Sequence, residues 1–421
     1  MAPRDVFAQA QQARRLDTTT FVVLGEGLAG GMANYGMNEI LQRVSFPALV
    51  AKQMGTILPQ PLFEGPGIGD VLGLQSLPVR IPTVPQGRVR IYPDKKVDND
   101  EAPTLFVFNL SVPNFRLTDS VNMKPVSPLI HDRSPQQTAV NLVLGFPAMI
   151  LEKNVPLWSQ YEYARAMVPS VALIELGYFD VLSAAVAANP ALIPDAASFR
   201  ATYTQIVRGL REMQVEVIVT TIPDPMDTAY FSRPASVANL IRIPDSFVRD
   251  SFGVSDNDWV TREGLTVIGN QLIRRNVQGL PAQYIMRGPV GADISNRVRA
   301  LNAAITALVA EQGAVVYDLA ALFTRLRTNG LAAGPAALTN NYFGGFYSLD
   351  GYYPGATGHA LIANDLLGFI NRTYGKSFPL VDVAATVRDD MTTKFERARD
   401  IGGELPSAIV GEPAETTESQ P

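Results

Sequence analysis

An α/β fold built on a five-stranded, doubly wound parallel sheet with long loop insertions is what this sequence predicts, on three observations. Five short runs are almost continuously apolar: TFVVLG (20–25), TLFVFNL (104–110), VALIELG (171–177), VEVIVTTI (215–222) and AVVYDL (314–319). A strand wet on one face alternates polar and apolar residues, whereas an unbroken apolar strand is covered on both faces, as in a parallel sheet. Stretches with helical spacing precede or follow most of these runs, the alternation that builds doubly wound sheets. Finally, 421 residues with 47% hydrophobic and 18% charged side chains can bury a large core, enough for one big domain with insertions or two smaller ones.

In chain order, the first run ends in a glycine-crowded turn, Gly25-Glu26-Gly27, and is followed by the helical pattern NEILQRVSFPALVAKQM. The second run ends in NLSVPN (109–114) and the third in Gly177-Tyr178-Phe179-Asp180. SFRATYTQIVRGLREMQ leads into the fourth run and NRVRALNAAITALVAEQG into the fifth, and GATGHALIANDLLGFINRTY is a last helix. Stretches near 53–103, 112–160 and 223–294 are rich in Pro and Gly and read as irregular functional loops or insertions. The expected organisation is an N-terminal extension at 1–17, a main domain at 18–376 with insertions near 53–103 and 223–294, and a C-terminal extension at 377–421. Within that extension VRDDMTTKFERARD reads as a solvated helix and GEPAETTESQP as a disordered acidic tail.

Composition removes several classes of function. The net charge is −5 and basic residues cluster only in pairs such as Arg14-Arg15 and Arg274-Arg275, so no nucleic-acid partner is expected. There is no cysteine, which excludes disulfides and thiolate chemistry, and His131 and His359 are the two histidines, too few for a histidine-rich metal site. The longest apolar stretch, AVNLVLGFPAMIL, is interrupted by Asn141 and Pro147 and is too short for a transmembrane segment. MAPRDVFAQAQQARRLD lacks the apolar core of an export signal. GEGLAGG has the spacing G-x-G-x-x-G, but no acidic residue ends a second strand at the distance a ribose would need, so no nucleotide or other cofactor is expected.

The strand ends carry a more specific signal. Gly25-Glu26-Gly27-Leu28, NLSVPN, Gly177-Tyr178-Phe179-Asp180 and SLDGYYPGATGHALIAN (348–364), in this order, resemble the SGNH (GDSL-type) hydrolase family, from about Thr18 to Tyr374. The resemblance is closest to larger bacterial members, through PQPLFEGPGIGD and the phrase TIPD at 221–224. It implies a flavodoxin-like sheet and an ester-hydrolase crevice at the carboxyl ends of the strands. Members are often exported, so a periplasmic or extracellular location would require a leader already removed. The family's serine falls on Gly27, its oxyanion glycine on Asn114, its oxyanion asparagine on Phe179 and its histidine on Tyr353; Asp350 alone keeps the expected type.

Those replacements remove the family's chemistry. Glycine cannot form an acyl-enzyme, and a phenol of pKa about 10 does not relay protons near neutrality. Phe179 offers no donor to an oxyanion, a loss of roughly 3 kcal/mol in comparable sites. The expected reading is a catalytically silent, pseudoenzyme-like protein whose glycine turn persists because the backbone is sharply bent. Its crevice, with Glu26, Asn114, Tyr178, Phe179, Tyr352 and Tyr353 as binding residues, would take an acyl or glycan ligand or a protein partner in an assembly. Two alternatives stand beside it: a hydrolase rebuilt on Glu26 and Asp350 acting on water, and a structural subunit docking through its insertions.

Single residues carry weaker signals. His359 reads as a partly buried helix-start residue bonding a loop carbonyl, against a relocated base. Ser111 and Ser348 read as turn residues, against substitute nucleophiles. Glu26 reads as a helix cap and Asp350 as an acceptor of local amides, against a carboxylate pair. Tyr342, Phe343, Phe346, Tyr347, Tyr352 and Tyr353 read either as packing under a loop or as a surface for a sugar or acyl chain.

Overall fold

The computed structural model describes residues 14–390 apart from 64–66, 70–106, 132, 151, 153 and 335. Four of the apolar runs form one parallel sheet, β1 (Phe21–Gly25), β2 (Val171–Glu175), β3 (Glu216–Thr220) and β4 (Val315–Tyr317), adjacent in that order. Every residue of β1 and β2 is buried, as an unbroken apolar strand between two covered faces must be. At roughly 1.5–3 kcal/mol for each large apolar side chain removed from water, these strands anchor the core. Their register pairs Phe21 with Val171 and, at the carboxyl end, Gly25 with Glu175.

The run at 104–110 differs from the expected fifth strand. Its described part lies along the other edge of β1, where Val23 donates to Phe108 O and Leu110 donates to Val23 O, both at 2.9 Å. The pairing amounts to a single parallel bridge, Val23 with Asn109, because the amides of Phe108 and Asn109 both turn to Pro59 O and Pro113 soon ends the extended path. Gln160 spans this edge, its Nε2 donating at 2.8 Å to both Gly25 O and Leu110 O.

Seven helices frame the site: α1 (Gly27–Gly30), α2 (Phe46–Met54), α3 (Gln160–Met167), α4 (Tyr178–Val186), α5 (Ala196–Arg211), α6 (Gly288–Glu311) and α7 (Ala356–Tyr374). α5 packs with α6, and α2 with α7. Local chemistry sets their starts. Asp195 accepts from the amides of Ala197 and Ser198 ahead of α5, and Ser159 with Glu162 forms a reciprocal capping box on α3. The single helix expected from NEILQRVSFPALVAKQM is broken at Val44-Ser45, because Asn38 caps Glu39–Arg43 and Pro47 opens a second helix.

Two stretches expected to be irregular are structured. Residues 223–294 hold helices Pro234–Ile241, Asp245–Phe252 and Arg262–Ile273, beside an antiparallel ribbon of Phe231–Ser232, Trp259–Thr261 and Ile285–Met286. Residues 112–160 include helix Pro135–Val143, capped by Ser134. These elements are short and closed by caps and prolines, so their helical period is brief in the sequence. Beyond α7 the chain folds back along it. Asn371 exchanges hydrogen bonds with Phe378, Asn364 exchanges them with Val381, and the Thr357 amide donates to Asp390 at 2.7 Å. The helix expected at 387–400 begins earlier, at Val383, and is described to Asp389; the acidic tail lies outside the described residues.

Candidate functional site

At the carboxyl ends of β1 and β2 two glutamates lie together. Glu26 is the N-cap of α1: its Oε1 accepts from the Leu28 amide at 2.9 Å and its Oε2 accepts from the Tyr353 hydroxyl at 3.0 Å. Glu175, opposite Gly25 in the ladder, accepts from the amides of Ala29 at 3.1 Å and Glu26 at 3.4 Å. Both are buried, and neither has an ion-pair partner among the described residues. Burial raises the pKa of Glu26, and burial followed by the Glu26 charge raises that of Glu175 well above the ordinary carboxylate range. The pair therefore retains protons at pH values where exposed carboxylates have lost theirs.

Gly27 is the first residue of α1. A Cβ there would lie 2.7 Å from both Met32 Sδ and Tyr353 Oη and 2.9 Å from Tyr353 Cζ. The turn does not hold Gly27 in the left-handed region, so the expectation that a sharp bend retains this glycine is corrected: the requirement is space. The phenol of Tyr353 fills the volume into which a side chain at position 27 would project. That phenol is in turn fixed edge-on to the ring of Tyr178, 5.9 Å between centroids, and Tyr178 donates to Tyr352 O at 2.8 Å. Tyr353→Phe leaves Glu26 Oε2 without this donor in a buried site. It is expected to destabilise the chain by about 1–3 kcal/mol, measured by urea denaturation.

The remaining sequence-predicted positions lie on α4, on the segment after Asn109 and on the loop before α7. Gly177 sits at φ 102°, a conformation that favours glycine, and places Phe179 in the first turn of α4. Phe179 is 7% exposed, with the Arg116 guanidinium 5.8 Å above its ring. Asp180 accepts from the Leu117 amide at 2.8 Å, and burial pushes its pKa up to about 7. Asn114 has φ 58°, the left-handed region that asparagine enters more readily than most residues. Asp350 accepts from the amides of Tyr352 at 3.0 Å and Tyr353 at 2.9 Å, and burial pushes its pKa up to about 6.

Glu26 and Asp350 thus make the local bonds expected of a cap and a turn residue. The carboxylate that lies beside Glu26 is that of Glu175, which accepts from the Glu26 amide and which sequence reasoning missed. Its signal was present, as a lone acidic residue inside the apolar run VALIELG. His359 also departs from expectation. It is fully buried against α2, where Nδ1 accepts from the Phe46 amide at 3.3 Å rather than the ring bonding a loop carbonyl. Nε2 has no hydrogen-bond partner among the described residues, and burial takes the pKa down to about 3, so the ring is neutral. Ser111 donates to Asn109 at 2.6 Å, and Ser348 accepts from the Asn34 amide at 2.9 Å. The aromatic run packs inward: Phe346 meets Phe323 edge-on at 5.5 Å, and Tyr347, Tyr352 and Tyr353 are buried.

An open hollow of about 750 Å³ lies away from this turn, lined by Arg249, Asp256, Asp258 and Arg287 among others. Its two arginines are paired, Arg249 with Asp245 and Asp256, and Arg287 with Asp258. Among the described residues no three His, Asp or Glu side chains are grouped to hold a metal ion, and no helix is long and apolar enough to cross a membrane. The architecture defines an α/β protein with a mostly parallel sheet and a plugged strand-end turn. No protein-family model matches the chain, and no curated protein matches it.

Proposed function

We propose that this chain has the frame of an SGNH hydrolase without its chemistry, and that it acts by binding or assembly rather than by ester hydrolysis. The segment beside β1 supports the flavodoxin-like part of this reading: with it, the apolar runs lie in the order second, first, third, fourth, fifth. The observation that carries the proposal is the Tyr353 phenol, bonded to Glu26 and filling the space in front of Gly27. A nucleophile there would need both a side chain and room for a carbonyl. The test is hydrolysis of short- and long-chain p-nitrophenyl esters by the full chain. No turnover above that of heat-denatured protein is expected, and turnover abolished by Asp350→Asn would overturn the proposal.

The Glu26–Glu175 pair favours a second reading, in which raised carboxyl pKa values serve acid–base work on a water molecule. Both groups are buried and already accept hydrogen bonds from Leu28, Tyr353, Ala29 and Glu26 itself, which argues for a structural role. Loss of an ester- or glycan-ester-cleaving activity in Glu175→Gln, with an unchanged fold, would establish the second reading over the first.

A further inference from the structure

The arginine pair Arg274-Arg275 lies at the end of helix Arg262–Ile273, inside the insertion at 223–294. That helix turns Leu265, Ile268 and Leu272, spaced for one face, against the core. Ile273, the next position round, is 68% exposed, and every residue from Ile273 to Gly279 is exposed before Leu280 returns to the core. A Cβ added at Gly269 or at Gly279 would meet no heavy atom within 4 Å, so open space flanks the turn on both sides.

The turn is built rather than frayed. Arg275 has φ 51°, in the left-handed region that glycine usually fills where a helix stops. Its amide donates to Leu272 O at 3.1 Å and the Asn276 amide donates to Gln271 O at 3.0 Å, the bond pair of a glycine-type helix stop. Gln271 Oε1 also accepts from the Gln278 amide at 2.8 Å. An arginine in the place of that glycine strains the backbone, and it gains no ion pair in return: neither Arg274 nor Arg275 has an ion-pair partner among the described residues.

Charge sets the chemistry of the partner. From Gly264 to Ala292 the charged residues are Arg274, Arg275 and Arg287, in a chain whose net charge is −5, and Arg287 is paired with Asp258. The turn therefore presents two uncompensated positive charges between two exposed aliphatic side chains, Ile273 and Val277. A partner that satisfies both features carries anions at its surface with apolar matter just behind them. A stable protein interface takes about 800 Å² from each side, more than a seven-residue turn offers, whereas a lipid surface yields to a projecting tip and backs its anionic headgroups with acyl chains.

We infer that residues 273–277 form a reversible docking point for an anionic lipid surface. Ile273 and Val277 enter the boundary beneath the headgroups, and Arg274 and Arg275 engage headgroup phosphates. The docking point is separate from the turn at Gly27 and stands whether that turn is active or inert.

The test is co-sedimentation of the full chain with vesicles at low salt, of phosphatidylcholine alone and of phosphatidylcholine carrying about one quarter phosphatidylglycerol. The chain is expected to bind the second and not the first, and to be released as salt is raised. Arg274→Gln and Arg275→Gln are each expected to lower the partition coefficient about fivefold, the effect of one basic side chain near an anionic membrane. Ile273→Ser combined with Val277→Ser is expected to lower it about fivefold or more. Arg275→Gly is expected to lose binding as Arg275→Gln does while melting no lower than the parent, because glycine relieves the backbone there, and this separates docking from folding. Absence of binding to the phosphatidylglycerol vesicles, which would leave an acidic protein surface as the occupant, overturns the inference. So does binding by both arginine variants equal to the parent's, or binding unchanged by loss of Ile273 and Val277, which would mark attraction between charges alone.

Discussion

Gly27→Ser, the substitution that restores the residue type of a nucleophile, is expected to unfold more readily than the parent and to hydrolyse no ester. Its Cβ would sit 2.7 Å from Met32 Sδ and Tyr353 Oη, well inside van der Waals contact. Met32 can move its sulfur, but Tyr353 is held by Glu26, by the ring of Tyr178 and by the hydrogen bond its backbone amide donates to Asp350. Forcing extra atoms into a packed interior typically costs about 1–3 kcal/mol, and breaking the Tyr353–Glu26 bond adds to that. Urea denaturation reads the stability loss and p-nitrophenyl acetate reads the activity. A variant as stable as the parent would mean that the space in front of residue 27 is not filled, and the account of the plug would fail.

The second large effect is on pH dependence, where two sets of buried groups act in opposite directions. His359 has its folded pKa depressed to about 3 from an ordinary 6.5, so the unfolded chain binds the extra proton. Its contribution is complete above pH 6.5 and is lost as pH falls toward 3. At about 1.4 kcal/mol per pKa unit the loss reaches up to about 5 kcal/mol. Asp350 and Asp180 are shifted the other way, from 3.8 to about 6 and about 7, so the folded chain binds the extra proton. Their contribution is present below pH 3.8 and is lost as pH rises through 6 and 7, and the Glu26–Glu175 pair carries the same trend.

Melting temperatures across pH 3–8 in parent and variants separate the two sets. His359→Asn keeps an acceptor for the Phe46 amide and is expected to remove most of the acid-side loss. Asp350→Asn is expected to flatten the fall between pH 4 and 6. Curves that run parallel to the parent's in both variants would refute these assignments.

The parts of the fold legible in the sequence were those with a long, local signal. The runs that form β1 to β4 carried their own evidence of double-sided burial, and the patterns of α5, α6 and α7 were long enough to show a helical period. Short elements were lost, as in 223–294, because eight-residue helices such as Pro234–Ile241 declare themselves by caps rather than by periodicity. The membership of the turn was half legible. Glu26, Asp350 and Tyr353 were found by matching the strand-end and loop segments to the family they resemble, but why Gly27 must be glycine depends on Met32 and on the reach of Tyr353. Glu175 was visible as an acidic residue in an apolar strand, yet only the Gly25–Glu175 register puts it beside Glu26. The stacking of Arg262 on Tyr35 and Tyr342 was not legible at all, since residues 35, 262 and 342 meet only once the chain has folded.

The return of the chain along α7 has a practical consequence for where it can be cut. Phe378, Val381 and Asp390 are fastened in turn to Asn371, Asn364 and Thr357, so the backbone beyond the helix works as a zip that closes at the helix start. Asp390 supplies an acceptor at an N-terminus that Gly355 leaves without a side-chain cap, and its charge acts on His359. A shortened chain stopping at Lys376 would bare that helix end and the neutral imidazole beneath it, although every residue of the four-stranded sheet would still be present.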